Sequence, residues 1–223
     1  GAVYDRNELR GLAYVLLRHP HVAIFADDIY EHIIFDDLEF CTIAAVEPKL
    51  KDRTVTMNGA SKVYSMTGWR IGYCGGPAPL IKEMTKLQQQ ITGSNSSVSQ
   101  AAALAALNGP QDFVKTNTKS FQERRDLVVS MLNQTTGLKC PTPKGAFYVF
   151  PDCSALIGRK TPDGTVIEND TDLVMYFLES HGVACVQGDA YGMSPYFRIS
   201  YAAAEDELRD ACERIQRACA ALT

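Results

Sequence analysis

Four short stretches of this chain combine residue types and spacing that chemistry could use. Asp27-Asp28-Ile29-Tyr30 follows the apolar run Val22 to Ala26, and Asn58-Gly59-Ala60-Ser61-Lys62 opens on the last residue of a second run, Thr54 to Asn58. Met66-Thr67-Gly68-Trp69-Arg70-Ile71-Gly72 holds the single Trp and an Arg among glycines. In Tyr196 to Tyr201, strand alternation sets Tyr196, Arg198 and Ser200 on one face. These are a carboxylate able to pair with a cationic nitrogen, a phenol, an amine that is both nucleophile and base, and two guanidinium forks suited to phosphate or carboxylate. Each also has a plainer explanation. An acid after an apolar strand is often a turn or cap residue, a lysine is usually solvated, and an Arg among glycines can be a tight surface turn. What gives the group weight is placement, because ligands of open α/β sheets bind beyond the carboxyl ends of strands.

Several functions are excluded by pattern. No Gly-x-x-x-x-Gly-Lys-Ser/Thr is present, and no Gly-x-Gly-x-x-Gly opens a helix after a strand. The 223 residues carry a net charge of −4, so overall charge offers nothing to nucleic acid, although a local cationic site remains open. Apolar runs fall far short of the roughly 18 residues a membrane span needs. Seven cysteines lack a Cys-x-x-Cys, and the four histidines lack ligand spacing, which favours reduced thiols in a cytoplasmic protein with no metal. With 46% hydrophobic residues, the chain can bury one full domain or two small ones.

The elements that must position these residues can be read from periodicity. Asp5 with Glu8 forms a capping box ahead of Leu9, Leu12, Val15 and Leu16, and His19-Pro20 closes that helix. Strands are expected at 22–26, 54–58 and 71–74, with helices from Pro79 to Ile91 and Ser97 to Leu107. A long helix from Asp112 to Thr135 precedes strand (146–150), helix (171–181), two strands (183–186 and 196–201) and helix (205–221). The expected organisation is an α/β unit over residues 1–110, a linking helix over 111–137 and a smaller α+β unit over 138–223.

Together these pieces resemble the class I, fold-type I aminotransferases that depend on pyridoxal 5'-phosphate. Ala26-Asp27-Asp28-Ile29-Tyr30-Glu31-His32 is similar to the family's Asp-Glu-Ile-Tyr-Glu-His segment. Ser61 to Tyr73 resembles the cofactor-lysine segment, and Phe197-Arg198-Ile199-Ser200-Tyr201 the C-terminal substrate arginine. The three motifs occur in the family's order and spacing. Within the family, Val186 to Tyr201 and Glu213 to Ala218 look most like the bacterial aspartate aminotransferases, including the aspartate/prephenate type.

The resemblance implies roles residue by residue. Lys62 would form the Schiff base with the cofactor and then act as the proton-transferring base. Asp27 would pair with the pyridine nitrogen, Tyr30 with the ring's phenolic oxygen, and Arg70, helped by Ser61, with the phosphate. Arg198 would hold the substrate α-carboxylate. It implies the C-terminal part of a mostly parallel cofactor-binding sheet domain followed by a small α+β domain, in a homodimer acting on an amino acid and a 2-oxo acid. Three positions depart from the pattern: Gly59 stands where many relatives have a phosphate-binding Ser, Asp28 replaces Glu, and Ser96 replaces a frequent Pro. Gly1 looks like the end of the family's Asn-Pro-Thr-Gly turn, so the chain is expected to be the back part of a longer protein that carries the rest of the site. The alternatives are a lyase or an aminotransferase of other specificity, and a fragment without turnover.

Overall fold

The computed structural model describes residues 1–223, which divide into two compact units, Val3–Thr118 and Gly1–Ala2 with Lys119–Thr223.

The first unit opens on α1 (Arg6–Leu17). Asp5 caps it by accepting the Asn7 and Glu8 N–H groups at 2.7 and 2.8 Å, and Glu8 returns the bond to Asp5 N–H at 2.8 Å, as the capping box predicts. The apolar face of α1 divides. Leu9 and Ala13 are buried against Ile43 and Leu50, while Leu12 and Val15 are exposed. After α1 come β1 (Ile24–Asp27), the one-turn α2 (Ile43–Val46), a 3-10 turn at Pro48–Arg53 and β2 (Thr54–Gly59). Arg53 fastens the turn between α1 and β1: its guanidinium donates to the carbonyls of Leu16 (2.6 Å), His19 (2.9 Å) and Val22 (2.6 Å). The Leu16 and His19 oxygens also accept the backbone N–H groups of His19 and Val22, so Arg53 adds a charged donor to the turn, and a cation suits that end of the helix dipole.

β2 lies between β1 and β3 (Gly72–Gly75). The β1–β2 pairing is parallel and the β2–β3 pairing antiparallel. Along β1 the side chains alternate as a two-residue period requires: Ile24 and Ala26 pack on the core, and Phe25 and Asp27 are exposed on the other face. Helices α3 (Ala78–Ile91) and α4 (Ser97–Asn108) follow, bearing exposed Leu87, Ile91, Val98 and Leu104. The long α5 (Asp112–Asn133) crosses the division at residue 118.

The second unit is built on β4 (Tyr148–Val149), α6 (Asp170–His181), β5 (Val186–Gln187), β6 (Phe197–Ser200) and α7 (Glu205–Ala220). Its strands pair antiparallel in the order β4-β6-β5. On α7 the buried positions Leu208, Cys212, Ile215 and Cys219 repeat at helical spacing. They join Leu173 and Phe177 of α6 and Phe197 and Ile199 of β6 in the buried set. All seven cysteines are free thiols.

The two shortest strands, β4 and β5, begin later than their sequence pattern. β4 begins at Tyr148 because Ala146 has a positive φ of 59°, outside extended backbone. β5 begins at Val186 because Gly182 (φ 66°) caps α6, and the Val183 N–H is taken by the Phe177 carbonyl.

Candidate active site

Strand direction collects the first unit's site residues. Asp27 is the last residue of β1, and Ser61 and Lys62 form a turn directly after β2. β3 runs the other way, with Gly72 opposite Gly59, so Arg70, two residues before β3, stands at the same end of the sheet. Parallel pairing assembles Asp27 with Lys62, and antiparallel pairing adds Arg70.

The local geometry is specific. Asp27 is exposed, and its Oδ1 accepts the Ile29 N–H at 3.3 Å. Tyr30 and Lys62 are half-buried, with Lys62 Nζ 5.7 Å from the centre of the Tyr30 ring. Ser61, also half-buried, immediately precedes Lys62. Arg70 is exposed in left-handed backbone (φ 50°) and donates one guanidinium N–H to the Thr67 carbonyl at 3.0 Å. Ser65 is left-handed as well (φ 53°). Two strained non-glycine residues within the turn joining Lys62 to Arg70 are the kind of cost that folds concentrate at functional sites.

A polar pair absent from the sequence expectation braces this end. Asn58 donates from its side-chain amide to Glu31 at 2.6 Å and accepts the Gly59 N–H at 2.8 Å. Glu31 directly follows Tyr30, so the bond ties the Tyr30 segment to the end of β2. The acid of the Asp-Asp-Ile-Tyr-Glu-His run was visible in the sequence, but its partner 27 residues away was not. Asp28 has its carboxyl pushed above the usual range by burial, with the charges of Glu31 and Asp27 adding to the shift.

Gly59 has a structural reason. A Cβ there would lie 3.1 Å from the Ile71 carbonyl oxygen and 3.2 Å from the Gly72 Cα, so the close approach of β3 favours glycine.

Arg198 belongs to the second unit. It is half-buried on β6, and its Cζ lies 4.5 Å from the centre of the Tyr148 ring and 5.0 Å from that of Tyr191. Tyr148 pairs with Ser200 across β4 and β6, which makes it a diagonal same-face neighbour of Arg198. Tyr191 arrives on the turn after β5. Neither ring was assigned from the sequence, since cross-strand register is not written in local spacing.

The family model for aminotransferase class I and II matches residues 1–215. The chain belongs to the class I and II aminotransferases. Among curated relatives of this family, it is 56% identical over 221 residues to a probable aspartate/prephenate aminotransferase of Rhizobium leguminosarum bv. phaseoli, covering 99% of this chain and 55% of that one. It is 57% identical over 219 residues to an aspartate aminotransferase of Rhizobium meliloti strain 1021, covering 98% and 53%. The crystal structure of the Rhizobium meliloti aspartate aminotransferase superposes with a TM-score of 0.97 at 56% identity, over all of this chain and 56% of that one. An aromatic aminotransferase from Pyrococcus horikoshii superposes with a TM-score of 0.84 at 34% identity, covering 97% and 56%. The chain thus spans about half the length of the class I aminotransferases it matches. The cofactor of that family is pyridoxal 5'-phosphate. The donor set at the sheet end fits such a group: an amine, a phenol, a carboxylate on an open face and a guanidinium could meet an aldehyde, a phenolic oxygen, a pyridine nitrogen and a phosphate.

Proposed function

We propose that the intact protein is an aspartate-type aminotransferase that exchanges an amino group between L-aspartate or a similar amino acid and a 2-oxo acid. The observation carrying this reading is the gathering of Asp27, Lys62 and Arg70 at one end of the sheet by strand direction. The relatives' names favour aspartate as donor and make prephenate a candidate acceptor beside 2-oxoglutarate and oxaloacetate. A cytoplasmic homodimer is part of the proposal.

When bound, pyridoxal 5'-phosphate supplies an aldehyde for attachment and a ring that accepts electrons from the substrate Cα. The Lys62 amine would be the attachment point for that group and the base that takes the substrate Cα proton. Asp27 would keep a proton on the pyridine nitrogen, and Tyr30 would donate its hydroxyl to the phenolic oxygen. Arg70, with Ser61 beside Lys62, would hold the phosphate. Arg198 forms a paired contact with the substrate α-carboxylate, which orients the Cα–H bond.

The test uses the intact, cofactor-loaded protein. Borohydride reduction followed by peptide mapping is expected to leave the pyridoxyl label on Lys62. Amino-donor and acceptor profiling, prephenate included, is expected to show transfer from aspartate. A label on another lysine, or loss of a carbon fragment from the substrate without amino transfer, overturns the reading.

A further inference from the structure

Asp170 is buried to 1% exposure, and the chemistry above makes no use of it. It is the first residue of α6, and both oxygens of its carboxylate are occupied. Oδ2 accepts the Asp189 N–H at 3.0 Å and Oδ1 accepts the Ser194 hydroxyl at 3.1 Å. Those donors sit near the two ends of one turn. Within it Gly192 N–H donates to the Asp189 carbonyl at 2.9 Å, Met193 N–H to the Gly188 carbonyl at 3.0 Å, and Gly188 N–H to the Tyr196 carbonyl at 2.7 Å. A Cβ on Gly188 would collide with the carbonyl oxygens of Met193 and Tyr196, so the turn closes on glycine. Tyr191 stands inside this turn, and its ring lies over Arg198.

We infer that Asp170 is a positioning residue for Arg198, acting through Tyr191. A carboxylate is costly to bury unless its oxygens are paired, and both of these pairs hold the turn. With the turn fixed, the Tyr191 and Tyr148 rings leave the guanidinium little rotational freedom, and cation–π attraction holds it there. Arg198 then meets a carboxylate already oriented, which limits the ordering cost of a two-point contact. This inference rests on the reading of Arg198 as the carboxylate site.

The test compares Asp170→Ala, Asp170→Asn, Tyr191→Ala, the Asp170→Ala/Tyr191→Ala double variant and Arg198→Lys in the intact, cofactor-loaded protein. The readouts are KM and kcat for L-aspartate and the calorimetric Kd of maleate, an unreactive dicarboxylate. Asp170→Ala and Tyr191→Ala are each expected to raise KM and Kd about tenfold, with a smaller fall in kcat, since the carboxylate is gripped in the bound substrate as well as in the transition state. Asp170→Asn is expected to stay within about threefold, because its amide oxygen can accept from Asp189 while its NH₂ donates to the Ser194 oxygen. The double variant is expected to be no worse than either single one, the sign of two residues acting along one path. If Asp170→Ala does not fold, Asp170→Asn/Ser194→Ala serves instead, with a severalfold rise in KM expected. Arg198→Lys raising KM while Asp170→Ala, or that substitute, leaves it unchanged overturns the inference alone. Multiplying effects in the double variant do the same. An unchanged KM in Arg198→Lys overturns the carboxylate reading and the inference with it.

Discussion

Gly59 and Gly72 face each other across the antiparallel β2–β3 pair, with room between the strands for neither to carry a side chain freely. This pair closes the loop that bears Lys62 at one end and Arg70 at the other. Gly59→Ala is expected to force β3 outward by a few tenths of an ångström and to cost about 1–3 kcal/mol, the usual range for overpacking. Thermal denaturation checks it; an unchanged midpoint would mean that the β2–β3 spacing yields without penalty.

Arg70 and Asp27 stand at the same sheet end with different expected duties, and substitution separates them. Arg70→Ala is expected to weaken pyridoxal 5'-phosphate binding by roughly 10- to 100-fold, the loss of a charge-assisted phosphate contact. Asp27→Asn is expected to reduce turnover by at least about 100-fold at saturating cofactor, because a neutral partner no longer keeps the pyridine nitrogen protonated. Cofactor titration by absorbance and steady-state kinetics distinguish the two.

Arg53 donates to three carbonyls where α1 hands over to β1. Arg53→Ala is expected to lower stability by roughly 2 kcal/mol, since three acceptors lose one charged donor. Urea denaturation measures it. Arg53→Lys should recover only part, because an ammonium lacks the planar fork.

Burial pushes the thiols of Cys140, Cys153, Cys185 and Cys219 up to about 12 and that of Cys212 to about 11. The thiolate is the reactive form. Maleimide labelling of the native protein at pH 8 is expected to leave these five unmodified and to reach all of them after denaturation, as peptide mapping would record.

His181 has its pKa held below the ordinary imidazole value by burial and then by the Arg217 cation. The unfolded chain therefore binds the extra proton more readily than the folded one. Its contribution to stability is present above about pH 6.5 and is lost as pH falls through the lowered folded value. In His181→Gln the melting temperature should fall less between pH 7 and pH 5 than in the parent.

The difference between what the sequence shows and what needed coordinates follows from range. The Asp5–Glu8 box acts within a few residues, so its pattern is local. Lys62, Asp27 and Arg70 could be singled out because each is a charged residue placed beside a strand. The pairs Glu31 with Asn58 and Asp170 with Ser194 depend on which strands and turns become neighbours, and no spacing rule connects residues 27 or 24 positions apart. The split face of α1 was hidden for the same reason: Leu9 and Leu12 look equally apolar, and only packing distinguishes them.

The left-handed backbone of Ser65 and Arg70 bears on how this protein would respond to selection. Glycine at either position would relax the chain, and at residue 70 it would also remove the guanidinium. A laboratory lineage propagated for heat tolerance alone would drift toward glycine there and lose phosphate affinity while gaining robustness. Retention of arginine at that position under such pressure would report that the catalytic demand is still being met.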